Sequence, residues 1–296
     1  MSTTPLRLQS LLGDYPNTCA LKNGAVRSQR FTLDFADVKA PSKAFKRVVR
    51  NLEFDIAELA IVTYLTAMSK GLPLVLLPVV VRGNFLHESI VCRAGDRIDP
   101  ANLKGKRIGI RSHTVTTVTW VRGLLQNEFG LDLRSVNWVA FEESHVAGIT
   151  DIIGSEQAPE GKDMLAMLAS GELDAAITGS ETLGNPAFRP LIPEIAKTVS
   201  AWFDKYQTVP INHMVVVRQS LLDTDSGLAA ELFELFCKAR SLDTADAGGI
   251  DRFPLGVDTM HKSLELIITY AHQQGLIPRA YAVDELFNDQ TRNLSR

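Results

Sequence analysis

The feature that most constrains this chain is a short unit that occurs twice. One copy reads Ala44-Phe45-Lys46-Arg47-Val48-Val49-Arg50-Asn51-Leu52-Glu53-Phe54-Asp55-Ile56-Ala57; the other reads Met164-Leu165-Ala166-Met167-Leu168-Ala169-Ser170-Gly171-Glu172-Leu173-Asp174-Ala175-Ala176. Each is expected to be a short helix that stops at Asn51 or Gly171, residue types that tolerate a left-handed cap, before Glu-x-Asp leads into a buried strand. One copy per half of a 296-residue chain predicts two α/β bodies of similar build rather than one large sheet.

The remaining pattern agrees, because short apolar runs alternate with helical-period segments from end to end. The first strand is expected at Leu6–Leu11, and the turn after it, residues 13–18, lies where open α/β sheets place ligand contacts, which makes Asp14 and Tyr15 candidates. The most apolar stretch, residues 72–81, carries Pro73 and Pro78 and is too short to span a bilayer, so it reads as a buried strand. A strand over residues 107–110 runs through a polar turn into a helix over 114–129 that Gly130 ends. Free N–H groups at that helix start would suit an anion, with Ser112, Thr114, Thr116 and Thr117 as hydroxyl donors and Arg111 and Arg122 as cations. The plainer role for Ser112 or Thr114 is to cap the helix. Strands at residues 85–93 and 208–218 carry His87 and His213 and are expected to cross between two lobes, residues 1–92 plus 214–296 and residues 93–213, as a hinge beside a central cleft.

Composition removes several function classes. A formal net charge of −3 gives no basic footprint for nucleic acid, and no segment is long and apolar enough to predict a membrane span. Cys19, Cys92 and Cys237 are far apart with no CxxC pair, so zinc ribbons, thioredoxin-type redox sites and a disulfide framework are not indicated. The first residues lack a basic segment followed by an apolar one, which predicts a cytoplasmic protein. No P-loop, glycine-rich dinucleotide turn or nucleophile elbow is present.

Taken in order, the segments resemble the type II periplasmic-binding-protein fold and, more narrowly, the 4,5-dihydroxyphthalate decarboxylase family. The resemblance runs from about Leu6 to about Leu242. It is carried by Asp14-Tyr15, Glu53-Phe54-Asp55-Ile56-Ala57-Glu58-Leu59 with Tyr64-Leu65, Leu77-Pro78-Val79, Phe85-Leu86-His87, Leu103-Lys104-Gly105-Lys106-Arg107-Ile108-Gly109, the run from Trp120-Val121-Arg122-Gly123 to Gly130, and Pro210-Ile211-Asn212-His213-Met214-Val215-Val216. The chain departs from the family at Ser112-His113-Thr114 and at Ala60-Ile61-Val62-Thr63, both expected to line the cleft, so a different substrate within one reaction class is compatible with it.

The resemblance implies a soluble enzyme that removes CO2 from a hydroxylated aromatic carboxylate with no cofactor. Such a reaction needs a proton for the ring carbon that bears the carboxylate, a clamp for anions and a partner for the phenol. His87, His213 and Glu58 are the candidates for moving the proton. Arg111 and Arg122 could clamp carboxylates, Tyr15 and Trp120 could stack on the ring, and Asp14, Thr63, Ser112 and Thr116 complete the expected binding set. Each has a plain structural alternative: a core histidine, a helix cap, or an ion pair for Glu58. Trp120 and Arg122, two apart on one helix, cannot face the same way. A divalent metal on His87, Glu88 and His213, with His113 nearby, is the alternative to cofactor-free chemistry. His145, His261 and His272 receive no role. The expected partner is a small aromatic carboxylate, with self-association left open. The competing function is a solute-binding or sensor protein for a small carboxylate, and a third is another enzyme on this fold; the cysteine-rich motif of the thiamin-pyrimidine synthases is missing.

Overall fold

The structure, a computed structural model, describes residues 6–179, 182, 184–243 and 249–295. Along the chain the elements are β1 (Leu6–Leu11), α1 (Pro16–Lys22), β2 (Phe31–Phe35), α2 (Phe45–Asn51), β3 (Ile56–Ala60), α3 (Ile61–Ser69), β4 (Leu74–Gly83), β5 (Ile90–Arg93), β6 (Arg107–Ile110) and α4 (Thr116–Phe129). They continue with β7 (Asn137–Ala140), β8 (Ser155–Gln157), α5 (Met164–Ser170), β9 (Ala175–Ile177), β10 (Phe188–Pro190), α6 (Ile195–Tyr206), β11 (Ile211–Arg218), α7 (Gln219–Thr224), α8 (Leu228–Ser241) and α9 (Val257–Gln273). Two compact units result. The first takes the chain up to Asn84, Ile211–Glu265 and the segment from Tyr281 on; the second takes Phe85–Pro210 and Leu266–Ala280.

The first unit holds a sheet of order β2-β1-β3-β11-β4, in which β1 is parallel to β2 and β3, and β11 runs antiparallel between β3 and β4. The second holds β10-β5-β9-β6-β7-β8, in which β6 is parallel to β7 and β9, and β5 is antiparallel to β9 and β10. Apart from the edge strand β8, both sheets have one strand order with one reversed strand in the same place. This is the two-lobed α/β architecture that the sequence predicts.

The repeated sequence unit has the same physical job in each sheet. Asp55 donates its N–H to the Gln9 carbonyl at 2.8 Å, and its carboxylate accepts the Gln9 N–H at 2.8 Å. Asp174 repeats both bonds with Arg107, at 2.8 and 2.9 Å. The aspartate thus closes the strand start that a plain ladder would leave open, and satisfies a backbone donor that would otherwise be stranded. The preceding glutamates each tie back to a basic residue, Glu53 to Arg47 and Glu172 to Lys162. One detail differs from expectation: Gly171 is the left-handed cap of its helix (φ 86°), whereas in the first copy the left-handed residue is Leu52 (φ 50°) and Asn51 is still helical. Leucine bears that conformation at a cost of about 1–2 kcal/mol while its N–H bonds the Arg47 carbonyl.

Pro78 shows how β4 stays a strand. It has no N–H to give, and the pairing with β11 slips there, from Leu77 opposite Val215 to Val80 opposite Met214. Residues 254–256 take up the slack: the Pro78 carbonyl accepts the Gly256 N–H and the Pro254 carbonyl accepts the Val80 N–H. The core of the first unit packs Leu8, Ile56, Leu77, Val215, Leu232 and Phe236; the second packs Val139, Leu168 and Leu173.

The chain passes between units at Asn84/Phe85 and Pro210/Ile211, not at 92/93 and 213/214, and again at Glu265/Leu266 and Ala280/Tyr281, so that residues 266–280, expected in the first lobe, belong to the second unit. At the first two the reason is pairing: β5 hydrogen-bonds β9 and β10, whereas all of β11, His213 included, is held by β3 and β4. The expected strand over 85–93 is shorter, since His87–Ser89 form a 3-10 turn and only Ile90–Arg93 is extended.

Removing the repeated aspartate leaves a backbone N–H without its acceptor, so Asp55→Ala and Asp174→Ala should each lower stability by about 1–3 kcal/mol. Urea unfolding of the two variants against the parent chain measures this, and a loss in only one would break the equivalence of the two units.

Candidate functional site

β1 ends at Leu11 and the chain turns through Gly13 and Asp14 before Pro16 opens α1 with the fixed φ that suits a first helical position. Thr18 locks this turn, its hydroxyl donating to the Gly13 carbonyl at 2.7 Å and accepting the Tyr15 N–H at 3.1 Å. A side chain on Gly13 would put its Cβ 2.3 Å from the Tyr15 ring, so only glycine lets that ring fold back across the turn. The fold-back aims the Tyr15 hydroxyl and the Gly13 N–H at one place.

That place is Glu58. It lies at the middle of β3, a strand with every residue buried, and its side chain is 0% exposed. Its Oε2 accepts the Gly13 N–H at 2.6 Å; its Oε1 accepts the Tyr15 hydroxyl at 2.8 Å and faces Nδ1 of His213 at 2.7 Å. The register explains the last contact. Val215 of β11 stands opposite Glu58, so His213 is the diagonal neighbour on the same face, within reach of a long side chain. A buried carboxylate is tolerable only when it is paired and hydrogen-bonded, and three donors meet that need here.

The arrangement assigns the tautomer. An oxygen that accepts the Tyr15 hydroxyl and belongs to an ionised carboxylate has only lone pairs to offer, so Nδ1 of His213 carries the proton and donates. Nε2 has no partner among the described residues, and the His213 side chain is 8% exposed. Phe45 packs its edge against the imidazole, with ring centroids 5.1 Å apart, and holds the ring plane. Burial first, and the Glu58 charge second, push the Tyr15 phenol well above its ordinary range, with Arg82 partly offsetting them; Tyr15 therefore remains a donor at any working pH. The result is a neutral donor and a buried anion that fix one imidazole by one nitrogen and leave the other available for proton transfer.

Of the residues singled out from the sequence, Glu58, His213 and Tyr15 come together in the first unit. Asp14 does not join them: it is 84% exposed and ion-paired with Lys22 of α1. Thr63 is buried in α3, where its carbonyl accepts the Thr66 hydroxyl.

The others belong to the second unit. His87 is 1% exposed, and neither ring nitrogen has a hydrogen-bond partner among the described residues. Phe85 and Trp202 lie beside it, and burial lowers its pKa to about 4, so it is neutral at pH 7. Trp120 is a core residue against Trp202 and Tyr270. Arg122 is also fully buried, with its guanidinium 4.2 Å over the Trp138 ring; burial brings its pKa down to about 10. Neither of these two faces solvent, and none of the three guanidinium nitrogens of Arg122 has a hydrogen-bond partner among the described residues. Arg111 lies 3.4 Å from Glu142. Ser112 and Thr114 do not cap α4, whose N-cap is Val115 without a side-chain bond; the two buried hydroxyls face each other at 3.5 Å. Thr116 is buried in the first turn of α4, and His113 meets the Ser144 hydroxyl at 3.3 Å. Among the described residues no three His, Cys, Asp or Glu side chains are grouped as a metal ion would require, His87, Glu88, His113 and His213 included.

Sequence reasoning missed Gly13, Phe45 and Arg82. Gly13 acts through its backbone N–H, which has no side-chain signature. Phe45 was read only as part of the repeated helix. Arg82 sits at the end of the apolar β4, and it is the pairing of that strand with β11 that sets it opposite His213.

No family model matches the chain. It is 32% identical over 211 residues to a 4,5-dihydroxyphthalate decarboxylase of Pseudomonas putida, covering 67% of this chain and 81% of that one. It is 29% identical over 244 residues to a protein of the same name from Comamonas testosteroni, covering 78% and 74%. Among solved structures it is similar to the periplasmic aliphatic sulphonate binding protein SsuA from Escherichia coli, with a TM-score of 0.60 over 99% of this chain and 95% of that one at 12% identity, a likeness of fold.

Because a histidine whose folded-state pKa is lowered resists protonation, the unfolded chain takes up a proton between about pH 6.5 and 4 that His87 refuses. This contribution to stability is complete above about pH 6.5 and is lost as the pH falls toward 4. Thermal melts of the parent chain and of His87→Leu from pH 7 to pH 4.5 should therefore diverge, with the parent losing more; parallel curves would show that His87 is not held neutral.

Proposed function

Since this chain belongs to the 4,5-dihydroxyphthalate decarboxylase family, we propose that it is a non-oxidative decarboxylase of a hydroxylated aromatic carboxylate and that the Glu58–His213 pair moves the proton. The observation that carries this reading is the buried carboxylate with three converging donors, one of them Nδ1 of His213.

A ring hydroxyl para to a carboxylate feeds electron density to the carbon that bears it. Protonation of that carbon from Nε2 of His213 forms a C–H bond and interrupts the aromatic system. The C–C bond to the carboxylate then breaks, its electron pair restores the ring, and the former carboxylate leaves as CO2. One proton is consumed and no electrons change hands, so 4,5-dihydroxyphthalate would give 3,4-dihydroxybenzoate. Glu58 does not transfer the proton itself. It holds Nδ1, fixes the ring orientation and compensates the positive charge on the imidazole whenever Nε2 is protonated, the role a buried carboxylate plays behind a catalytic histidine. Tyr15 and Gly13 keep that carboxylate in place. A fixed donor matters because proton transfer requires heavy atoms within hydrogen-bond reach in one orientation. His87, neutral and enclosed by aromatic rings, is better suited to the core of its unit than to acid catalysis.

A carboxylate-binding protein without catalysis is the competing reading, favoured by the likeness to a sulphonate-binding protein. The test is CO2 release from 4,5-dihydroxyphthalate and from a panel of hydroxylated benzoates, alongside binding of the same compounds; binding without release would leave the competing reading. With release established, His213→Gln and Glu58→Gln should each lower kcat by roughly 100-fold or more, while His87→Leu stays within a few-fold of the parent. Dialysis against a chelator should leave turnover unchanged, in keeping with cofactor-free chemistry; a metal-restored loss would overturn that part.

A further inference from the structure

We propose that Arg82 is the carboxylate anchor of this site and selects ortho-dicarboxylate substrates. The inference rests on the decarboxylase reading for its chemistry, but its geometry is independent of it. Arg82 is the penultimate residue of β4 and stands directly opposite His213 in the β4–β11 register. The register shifts on both sides of that pair, so the approach of Arg82 to the site is carried by its side-chain contacts and not by regular strand alternation. The guanidinium lies 5.7 Å from the centroid of the Tyr15 ring, the ring whose hydroxyl is bound to Glu58. Arg82 is exposed, and among the described residues no carboxylate pairs with it. Nearby cations of the same unit are committed: Lys22 to Asp14, and Arg218 to Asp55 at 2.5 Å. The two arginines expected to clamp the substrate both belong to the second unit, Arg111 3.4 Å from Glu142 and Arg122 buried over Trp138. Arg82 is thus an exposed planar fork, matched to a carboxylate, that interacts with the Tyr15 phenol bound to Glu58 and has no carboxylate of its own among the described residues.

The chemistry decides which carboxylate it holds. A carboxylate that becomes CO2 loses its negative charge, so an arginine bound to it would stabilise the starting state more than the transition state and slow the reaction. The productive anchor is on a carboxylate that keeps its charge throughout. In an ortho-dicarboxylate that group stays on the ring next to the carbon to be protonated, and holding it presents the neighbouring carbon to His213. A monocarboxylate such as 3,4-dihydroxybenzoate would have its only carboxylate held and none positioned to leave, which explains why the reaction would stop after one CO2.

Arg82→Gln and Arg82→Lys test this, read by isothermal titration with phthalate, which lacks the hydroxyls needed for turnover, and by CO2 release from 4,5-dihydroxyphthalate. Arg82→Gln should weaken phthalate binding and raise KM on the order of 10- to 100-fold, with a smaller fall in kcat, and should relieve inhibition by 3,4-dihydroxybenzoate to a similar degree. Arg82→Lys should recover part of the loss, because it restores charge without the fork. Unchanged phthalate affinity and KM in Arg82→Gln would overturn the anchor and leave the decarboxylase reading intact. Phthalate binding that depends on Arg82 in a chain that releases no CO2 would keep the anchor and overturn the decarboxylase. A parent chain that neither binds phthalate nor releases CO2 would overturn both.

Discussion

A carboxylate placed at the centre of a fully buried strand is the condition around which the first unit is organised. Glu58 lies between apolar neighbours on β3, where an unpaired charge would cost several kcal/mol. The surrounding chain supplies what it needs: a glycine that brings a backbone N–H close, a tyrosine folded back over that glycine, and a histidine two residues along the neighbouring strand. Each donor comes from a different segment, so the carboxylate also ties the turn after β1, the middle strand and the returning strand into one arrangement. A group that would be a liability in an ordinary core becomes the means by which an imidazole is fixed in one orientation.

This device is built on a scaffold with a broader use. The E. coli sulphonate-binding protein has a similar fold at 12% identity, which carries the architecture and no activity. The device in the present chain is local: a histidine on the reversed strand with a carboxylate behind it. In the second unit the reversed strand is β5, and the histidine that precedes it, His87, has no such carboxylate. It is packed among aromatic rings that keep it neutral. Two histidines that look alike in sequence, each close to a point where the chain passes from one unit to the other, have opposite electrostatic surroundings.

Much of the architecture was legible because it is written in local patterns. The repeated helix, Glu-x-Asp and strand appears in both sheets with the same aspartate bonds, since a helix cap and a strand start involve residues close in sequence. The helix ended by Gly130 and the buried strand at 74–83 were legible for the same reason. Glu58, His213 and Tyr15 were also singled out, two as titratable groups on expected strands and one by its place after the first strand. The failures were of another kind. Ser112 and Thr114 look like helix caps, yet the chain turns one residue later than they require. The burial of Arg122 over Trp138 was not legible either, because Trp138 is a residue of β7 that no spacing rule connects to it. Two boundaries between the units were misplaced by a few residues because strand pairing, not composition, assigns a segment to a sheet, and the membership of residues 266–280 in the second unit has no local signature at all.

The sequence by itself determined the class of fold, the presence of two similar bodies and the residue types available for proton transfer, because periodicity, capping and side-chain chemistry are properties of short stretches. Only the tertiary structure decided which of those residues meet. Glu58 and His213 are 155 positions apart, and they meet because β11 lies beside β3 in a particular register, while β4 on its other side brings Arg82 to the Tyr15 ring. A shift of one residue in the β3–β11 register would turn His213 away from Glu58, since successive side chains of a strand point to opposite faces. The register is set by the packing of the whole sheet and by the irregularity at Pro78, so the site is a consequence of long-range pairing that no local pattern encodes.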